Sequence, residues 1–414
     1  MHKAHDLCDH KTNYTSAVRR CYGHSGSTMR QLVAAERGMN RTQFSTHAGR
    51  VVLALAGASL LLFAACAPLP PAKTAADTGP MLFPAPPEEP RFVYERTIYG
   101  SADVLPETAD SRLRSVLTGE GIRGEGLNKP NSIAVYQGRI FVGDSVEAVI
   151  RVFDVPNGRH FKIGADEPGK LSKPLGIDVD RRGNLYVADV SAKAIFIYNK
   201  DGKFLRRIGN ASWFDRLANV TVDPKGDRIY MVDVGGVSSQ QHRVRVVDAS
   251  SGELMFDFGK RGKDPGDFNF PRDIVVGKDG RLYIVDAGNF RVQIFDRDGK
   301  FVKTFGSIGR QMGQFARPKE IAADPAGNIY VTDTAFGNFQ IFSPEGELLM
   351  FVGTRSEQDG PAHYMLPAGI YVDEDGRVYM VDQWFRKVDI FRPFELKANA
   401  GYLGQRPGAK AGAR

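Results

Sequence analysis

DFNFPRDIVVGKDGRLYIVDAGNFRVQIFDRDGKFVKTFG, residues 267–306, holds four short apolar runs separated by turn-forming clusters. Residues 274–276 form the first run, and Gly277-Lys278-Asp279-Gly280 forms the first turn. Residues 282–285 are β-branched and aromatic, 292–295 alternate apolar with polar, and Asp296-Arg297-Asp298-Gly299 turns into 301–305. Gly and Asp supply the backbone angles that tight turns need, so the stretch predicts four antiparallel strands in one meander. No 3.6-residue apolar period competes with that reading.

The unit repeats. A Tyr or Phe, two residues and then Asp recurs at Asp144, Asp189, Asp233, Asp286, Asp333 and Asp382, spaced 45, 44, 53, 47 and 49 residues apart. A period in the forties with four strands per repeat predicts an all-β fold: a six-bladed β-propeller of four-stranded antiparallel blades. A lone sheet of this size exposes both faces and two edges, and radial packing of blades buries the faces. Blades two to five each end in a fourth apolar strand before Gly209, Gly259, Gly306 and Gly353. The sixth blade runs from 388–391 into Arg392-Pro393-Phe394 without one, and the missing copy stands at 92–100, FVYERTIYG. The N-terminal strand is therefore expected to complete the last blade and close the ring.

The repeats resemble NHL repeats, in which Pro-x-x-Ile, Gly-x-Leu-Tyr-Val-x-Asp and Arg-Val-Gln-x-Phe are followed by Gly. Blade four carries Pro271-Arg-Asp-Ile274, Gly280-Arg-Leu-Tyr-Ile-Val-Asp286, Asn289-Phe-Arg-Val-Gln-Ile-Phe295 and Gly299. Blade five carries Pro318-Lys-Glu-Ile321, Gly327-Asn-Ile-Tyr-Val-Thr-Asp333 and Asn338-Phe-Gln-Ile-Phe342. The resemblance covers residues 128–391 and is weakest in blade one. It implies a platform for protein or RNA or, in related six-bladed folds, a lyase or lactonase, so fold alone does not settle function. The repeated Asp is expected to be structural: beside a turn it accepts backbone N–H groups, and six equal copies serve geometry.

The chain divides into residues 1–38, expected to lie upstream of the native start at Met39; a leader, 39–66; a Pro/Ala-rich tether, 67–90; the propeller, 91–395; and a flexible basic tail, 396–414. Cys8-x-His10 and Cys21-x-x-His24 fit no standard zinc-finger spacing. Arg41 and Arg50 precede the uncharged residues 51–65, which suit a secretory h-region and are short for a membrane span. The run ends Phe63-Ala64-Ala65-Cys66, which resembles a bacterial lipobox, with Phe63 where that pattern prefers Leu. No other cysteine follows the leader, so Cys66 has no partner within the mature chain, and acylation gives the lone thiol a role. The expectation is a lipoprotein of the cell envelope, lipidated at Cys66 and held on the outer membrane facing the periplasm. Of 55 Lys/Arg and 48 Asp/Glu, 8 and 3 lie in residues 1–66, leaving a near balance of 47 and 45. That balance argues against a nucleic-acid partner.

In such a meander the first strand begins on the side where the second ends. Residues after each Pro and loops after each Asp therefore share one rim, and the Gly-containing turns share the other. Two residues after the Pro position, nearest the axis, stand Ser132, Gly176, Asn219, Asp273, Glu320 and Gly369, with Arg272 and Lys319 beside them. The outer loops add Phe290, Arg291, Phe336, Trp384, Phe385 and Arg386. Aromatics next to Arg suit recognition, offering large area with few rotors and charge-assisted hydrogen bonds. The candidate ligand-binding set is Arg272, Asp273, Phe290, Arg291, Lys319, Glu320, Trp384 and Arg386. Two functions follow. One is a monomeric scaffold, without catalytic residues or cofactor, that presents this rim to a protein or peptide in the envelope. The alternative is a metal-dependent hydrolase or lactonase with Ca²⁺ held by Asn219, Asp273 and Glu320. Against the second, His160, His242 and His363 occupy dissimilar repeat positions, and ion pairing with Arg272 and Lys319 would account for both carboxylates.

Overall fold

Blade four consists of Pro271–Val276, Leu282–Asp286, Arg291–Phe295 and Phe301–Phe305, paired antiparallel in chain order. Its turns pass through Gly280 (φ +78°) and Gly299 (φ +79°), where any side chain would be strained. Side chains alternate across a strand, so the buried second strand feeds two cores. Leu282 and Ile284 pack with Tyr230 and Val232 of blade three; Tyr283 and Val285 pack with Ile321, Ile329 and Val331 of blade five. Ile284 is 0% exposed, and truncating it to Ala would cost about 2–5 kcal/mol.

The structure, a computed structural model, describes residues 79–108, 113, 116–118 and 124–404. These lie in one unit, Thr78–Arg414. The expectations for residues 1–38, for the leader with Cys66, for the tether as far as 78 and for the tail from 405 fall outside the described residues. Six antiparallel blades are present. Their first strands are Pro130–Tyr136, Pro174–Val179, Leu217–Val222, Pro271–Val276, Pro318–Ala323 and Pro367–Val372. They stand side by side in a closed circle around a central channel.

Blade six takes Phe92–Ile98 as its fourth strand, antiparallel to Lys387–Pro393 with Ile98 opposite Val388. A buried ammonium anchors this junction. Lys387 Nζ lies 3.1 Å from both Asp359 and Asp389; Thr97 Oγ1 donates to Asp389 at 2.5 Å, and the Tyr99 hydroxyl donates to Asp359 at 2.8 Å.

Both expected domain boundaries shift. Leu82–Phe83 adds a fifth strand to blade six, and the Phe83 ring meets Phe391 edge-on at 5.5 Å. The tether expected to run to residue 90 is thus docked near its end, because its prolines turn the chain back onto an apolar ring. At the other terminus, Leu403 is buried in the core between blades six and one. Arg377 donates to the Ala400 carbonyl and the Tyr402 N–H donates to Asp375, each at 2.8 Å. The flexible tail expected from 396 therefore begins too early: a buried leucine and two hydrogen bonds hold the chain to 404.

Candidate functional site

The repeated Asp sets the upper rim. Asp144, Asp189, Asp233, Asp333 and Asp382 each accept the backbone N–H groups of the two residues that precede the next-entered first strand of their own blade. Asp286 accepts the Asn269 N–H at 2.6 Å. All six are 0% exposed. Each carboxylate fixes where its blade's first strand starts, and so fixes which residues ring the channel mouth.

The channel has a volume of about 490 Å³, with Ser132, Asn219, Asp273, Glu320 and Gly369 on its upper wall. Gly176 belongs to the same ring, and a Cβ there would strike Asn219 Oδ1 at 2.0 Å. Asn219 Nδ2 donates to Glu320 Oε2 at 3.2 Å. The Asp273 carboxylate accepts the N–H of its neighbour Ile274 at 2.7 Å and that of Ile321 in blade five at 2.8 Å. Asp273 and Glu320 lie within hydrogen-bonding reach of each other. Burial, first, holds both carboxyl groups above the usual carboxylate range, and the Glu320 charge raises Asp273 further. Two carboxyls so placed interact in titration, so that loss of the first proton disfavours loss of the second.

The ion pairs expected with Arg272 and Lys319 are not formed. Among the described residues, neither cation lies within 4.0 Å of an acidic oxygen. Asp273 and Glu320 are satisfied by backbone N–H groups, Asn219 and each other, which leaves the two basic side chains over as half-buried charges at the mouth. Burial lowers the Lys319 pKa, with Glu320 opposing that shift.

The outer candidates separate. Arg291 is structural: its Nε donates to Asp286 at 2.8 Å, and its Nη2 donates to the carbonyls of Asp264 and Asp267, each at 3.0 Å. Phe290 packs half-buried against the core between blades four and five. Both were expected on the working surface, and both are part of the scaffold beneath it. Trp384 is 59% exposed, Arg386 is exposed, and Phe385 is half-buried over Lys387 Nζ at 5.7 Å.

Sequence reasoning overlooked a second basic set. The residue held by the Asp immediately before the first strand is Lys129, Lys173, Arg216 or Arg317 in blades one, two, three and five. All four are exposed. Their signal was in the repeat register, one position before the Pro of blades one, two and five and before Leu217 of blade three.

Among the described residues no group of three or more His, Cys, Asp or Glu side chains is placed to hold a metal ion. Asn219, Asp273 and Glu320 do converge, but Asn219 Oδ1 accepts the Val220 N–H and both Asp273 oxygens accept backbone N–H groups. Each of these oxygens thus already accepts one N–H group and keeps one lone pair.

The NHL repeat family model matches residues 268–295, the heart of blade four. NHL repeat-containing protein 3 of Homo sapiens is 34% identical over 91 residues, which is 22% of this chain and 24% of that protein. The match thus spans about a quarter of the relative's length. A protein of unknown function from Bacteroides thetaiotaomicron superposes with a TM-score of 0.54 at 16% identity, covering 72% of this chain and 75% of that one. A gluconolactonase from Xanthomonas campestris superposes with a TM-score of 0.50 at 15% identity, covering 64% and 86%. At such identities the likeness shows the fold alone. The fold is a six-bladed β-propeller, and its fourth blade carries the stretch that the NHL repeat model matches.

Proposed function

We propose that the chain is a lipid-anchored scaffold of the cell envelope whose upper rim binds a protein or peptide. The observation that carries the reading is Trp384, 59% exposed beside Arg386 on the rim that bears the unpaired Arg272 and Lys319. An exposed indole on a rigid loop with basic neighbours is the composition of a binding hot spot. The loop is rigid because the Trp384 and Phe385 N–H groups both donate to Asp382 at 2.8 Å. The anchor rests on Cys66 and its apolar leader. Cys66→Ala is expected to move the protein from the membrane to the soluble fraction, and unchanged fractionation would refute the anchor. Trp384→Ala is expected to lose partners captured from envelope fractions at an affinity cost of about 2 kcal/mol.

The hydrolase reading has one observation in its favour, the convergence of Asn219 and Glu320 at 3.2 Å beside Asp273. It requires a calcium-dependent rise in melting temperature that Asp273→Ala and Glu320→Ala abolish. A flat calcium titration removes it.

A further inference from the structure

We infer that the partner presents an acidic peptide segment, whose carboxylates enter the upper mouth of the channel; this rests on the scaffold reading above. The observation is a ring of cations without counter-ions. Lys129, Lys173, Arg216 and Arg317 occupy equivalent positions in four blades, each placed by the backbone hydrogen bond that its own N–H makes to the repeat Asp. Arg272, Lys319 and Arg386 complete the set on the same rim. Among the described residues, none of the seven has a carboxylate within 4.0 Å.

Elsewhere many arginines are paired, while Arg182 and Lys225 on the opposite rim, like these seven, have no carboxylate within 4.0 Å among the described residues. Arg139, Arg151, Arg228, Arg243, Arg297 and Arg377 all sit against carboxylates. Most acids close to these cations are engaged elsewhere, although Asp215 is exposed next to Arg216 and Glu320 feels Lys319 and Arg272 at longer range. The six repeat Asp side chains are buried on backbone N–H groups, and burial raises the pKa of both Asp273 and Glu320. Seven cations thus gather on one rim, although the chain beyond residue 66 is nearly neutral as a whole. A mouth rimmed by one sign of charge attracts and orients the opposite sign.

The shape selects among anions. Arg272 and Lys319 do not line the channel itself; they are half-buried, each next in sequence to a carboxylate of its wall, Asp273 or Glu320. A flat membrane surface meets the outer ring and cannot reach them. A Glu or Asp side chain on a flexible peptide can. Trp384 beside the mouth suits the apolar residues of the same segment.

The test uses the full chain and three probes: a fluorescein-labelled, Glu-rich decapeptide amide, its Gln counterpart, and phosphatidylglycerol vesicles. The Glu peptide is expected to bind with an affinity that falls as salt rises, the Gln peptide at least ten-fold more weakly. Arg272→Glu with Lys319→Glu should weaken the Glu peptide at least ten-fold, and Arg182→Glu with Lys225→Glu on the opposite rim should change nothing. Equal binding of the two peptides, or indifference to the Arg272/Lys319 reversal, overturns the inference. Capture by vesicles with no peptide binding replaces it with a lipid surface. Capture of envelope partners separates the two readings. If Trp384→Ala loses the partner and the charge reversals keep it, the scaffold stands and the acidic segment falls. If neither change affects capture, the rim itself is not the binding surface.

Discussion

The two rims of this propeller treat charge in opposite ways. On the lower rim, arginines cross from blade to blade. Arg139 of blade one meets Asp201 in the blade-two turn at 3.2 Å; Arg228 of blade three meets Asp298 in the blade-four turn at 2.7 Å, and Arg297 returns the contact to Asp227 at 2.9 Å. On the upper rim the repeat carboxylates bind backbone first and several cations are left over, although Arg243 lies 3.5 Å from Asp233 and Arg151 3.8 Å from Asp144. Asp286 shows the limit of that rule: it takes Arg291 as well, and Arg291 thereby becomes scaffold. Charge consumed in holding blades together cannot also recognise a partner, and the unpaired side chains that share a rim with exposed Trp384 remain free to do so.

The sharpest break of the comparison is at ring closure. Deleting residues 91–100 removes the strand beside Lys387–Pro393 and leaves Lys387, Asp389 and Phe391, each 0% exposed, facing water. Loss of the cooperative melt and aggregation through the open edge are expected. Truncation after residue 404 should leave the melt unchanged, and truncation after 398 should lower it, since Leu403 is buried. Equal and mild effects from all three would show that the N-terminal strand does not close the ring.

Next in size is the contrast between two arginines. Arg291→Ala leaves a buried Asp286 without its guanidinium, a loss of about 2–3 kcal/mol in urea unfolding, moderated by the Asn269, Asn289 and Gln293 donors that remain. Arg386→Ala, at an exposed site without partners, should stay within about 0.5 kcal/mol. Similar values for the two would dissolve the distinction between scaffold and surface.

That distinction marks the limit of what the sequence could show. The fold was legible because turn chemistry and a period in the forties leave few alternatives, and the missing fourth strand of blade six pointed to residues 92–100. The axial ring was legible from strand parity. The roles of Arg291 and Phe290 were not, because exposure on a loop depends on the neighbouring blade's loop, here residues 264–267, and no local pattern encodes that approach. Nor was the pairing at the axis legible. Asp273 with Arg272 and Glu320 with Lys319 suggested ion pairs, yet adjacent residues in a strand point to opposite faces, so each carboxylate found its partners across the channel instead.

Between the rims, Asp178 tests the channel wall. Its Oδ2 accepts Thr221 Oγ1 at 2.7 Å and the Val222 N–H at 2.9 Å, which ties blade two to blade three. Burial outweighs these bonds and pushes its pKa up from 3.8 to about 6. The folded protein therefore keeps a proton that the unfolded chain has lost. The group's contribution to stability is fully present below pH 4, declines as pH rises through 6 and is flat above, for a total on the order of 2–3 kcal/mol. Asp178→Asn cannot titrate, so the wild-type advantage over it should shrink between pH 4 and 7 in thermal melts. An advantage independent of pH would mean that Asp178 is ionised throughout.

The smallest effect is the most direct test of the difference between the rims. Changing Lys129, Lys173 or Arg317 to Gln removes a cation that has no counter-ion, so stability should move by less than about 0.5 kcal/mol. The sign should be slightly favourable at low salt, because like charges around one mouth repel. It should vanish near 0.5 M salt, where the screening length has fallen below about 5 Å. Arg228→Gln on the lower rim should behave in the opposite sense: it breaks the contact with Asp298 and loses up to about 1 kcal/mol, most at low salt. Urea midpoints at the two salt concentrations read both signs in one experiment. Destabilisation by the upper-rim changes that persists in high salt would mean those side chains hold the blades together, and the upper rim would then be a second structural seam.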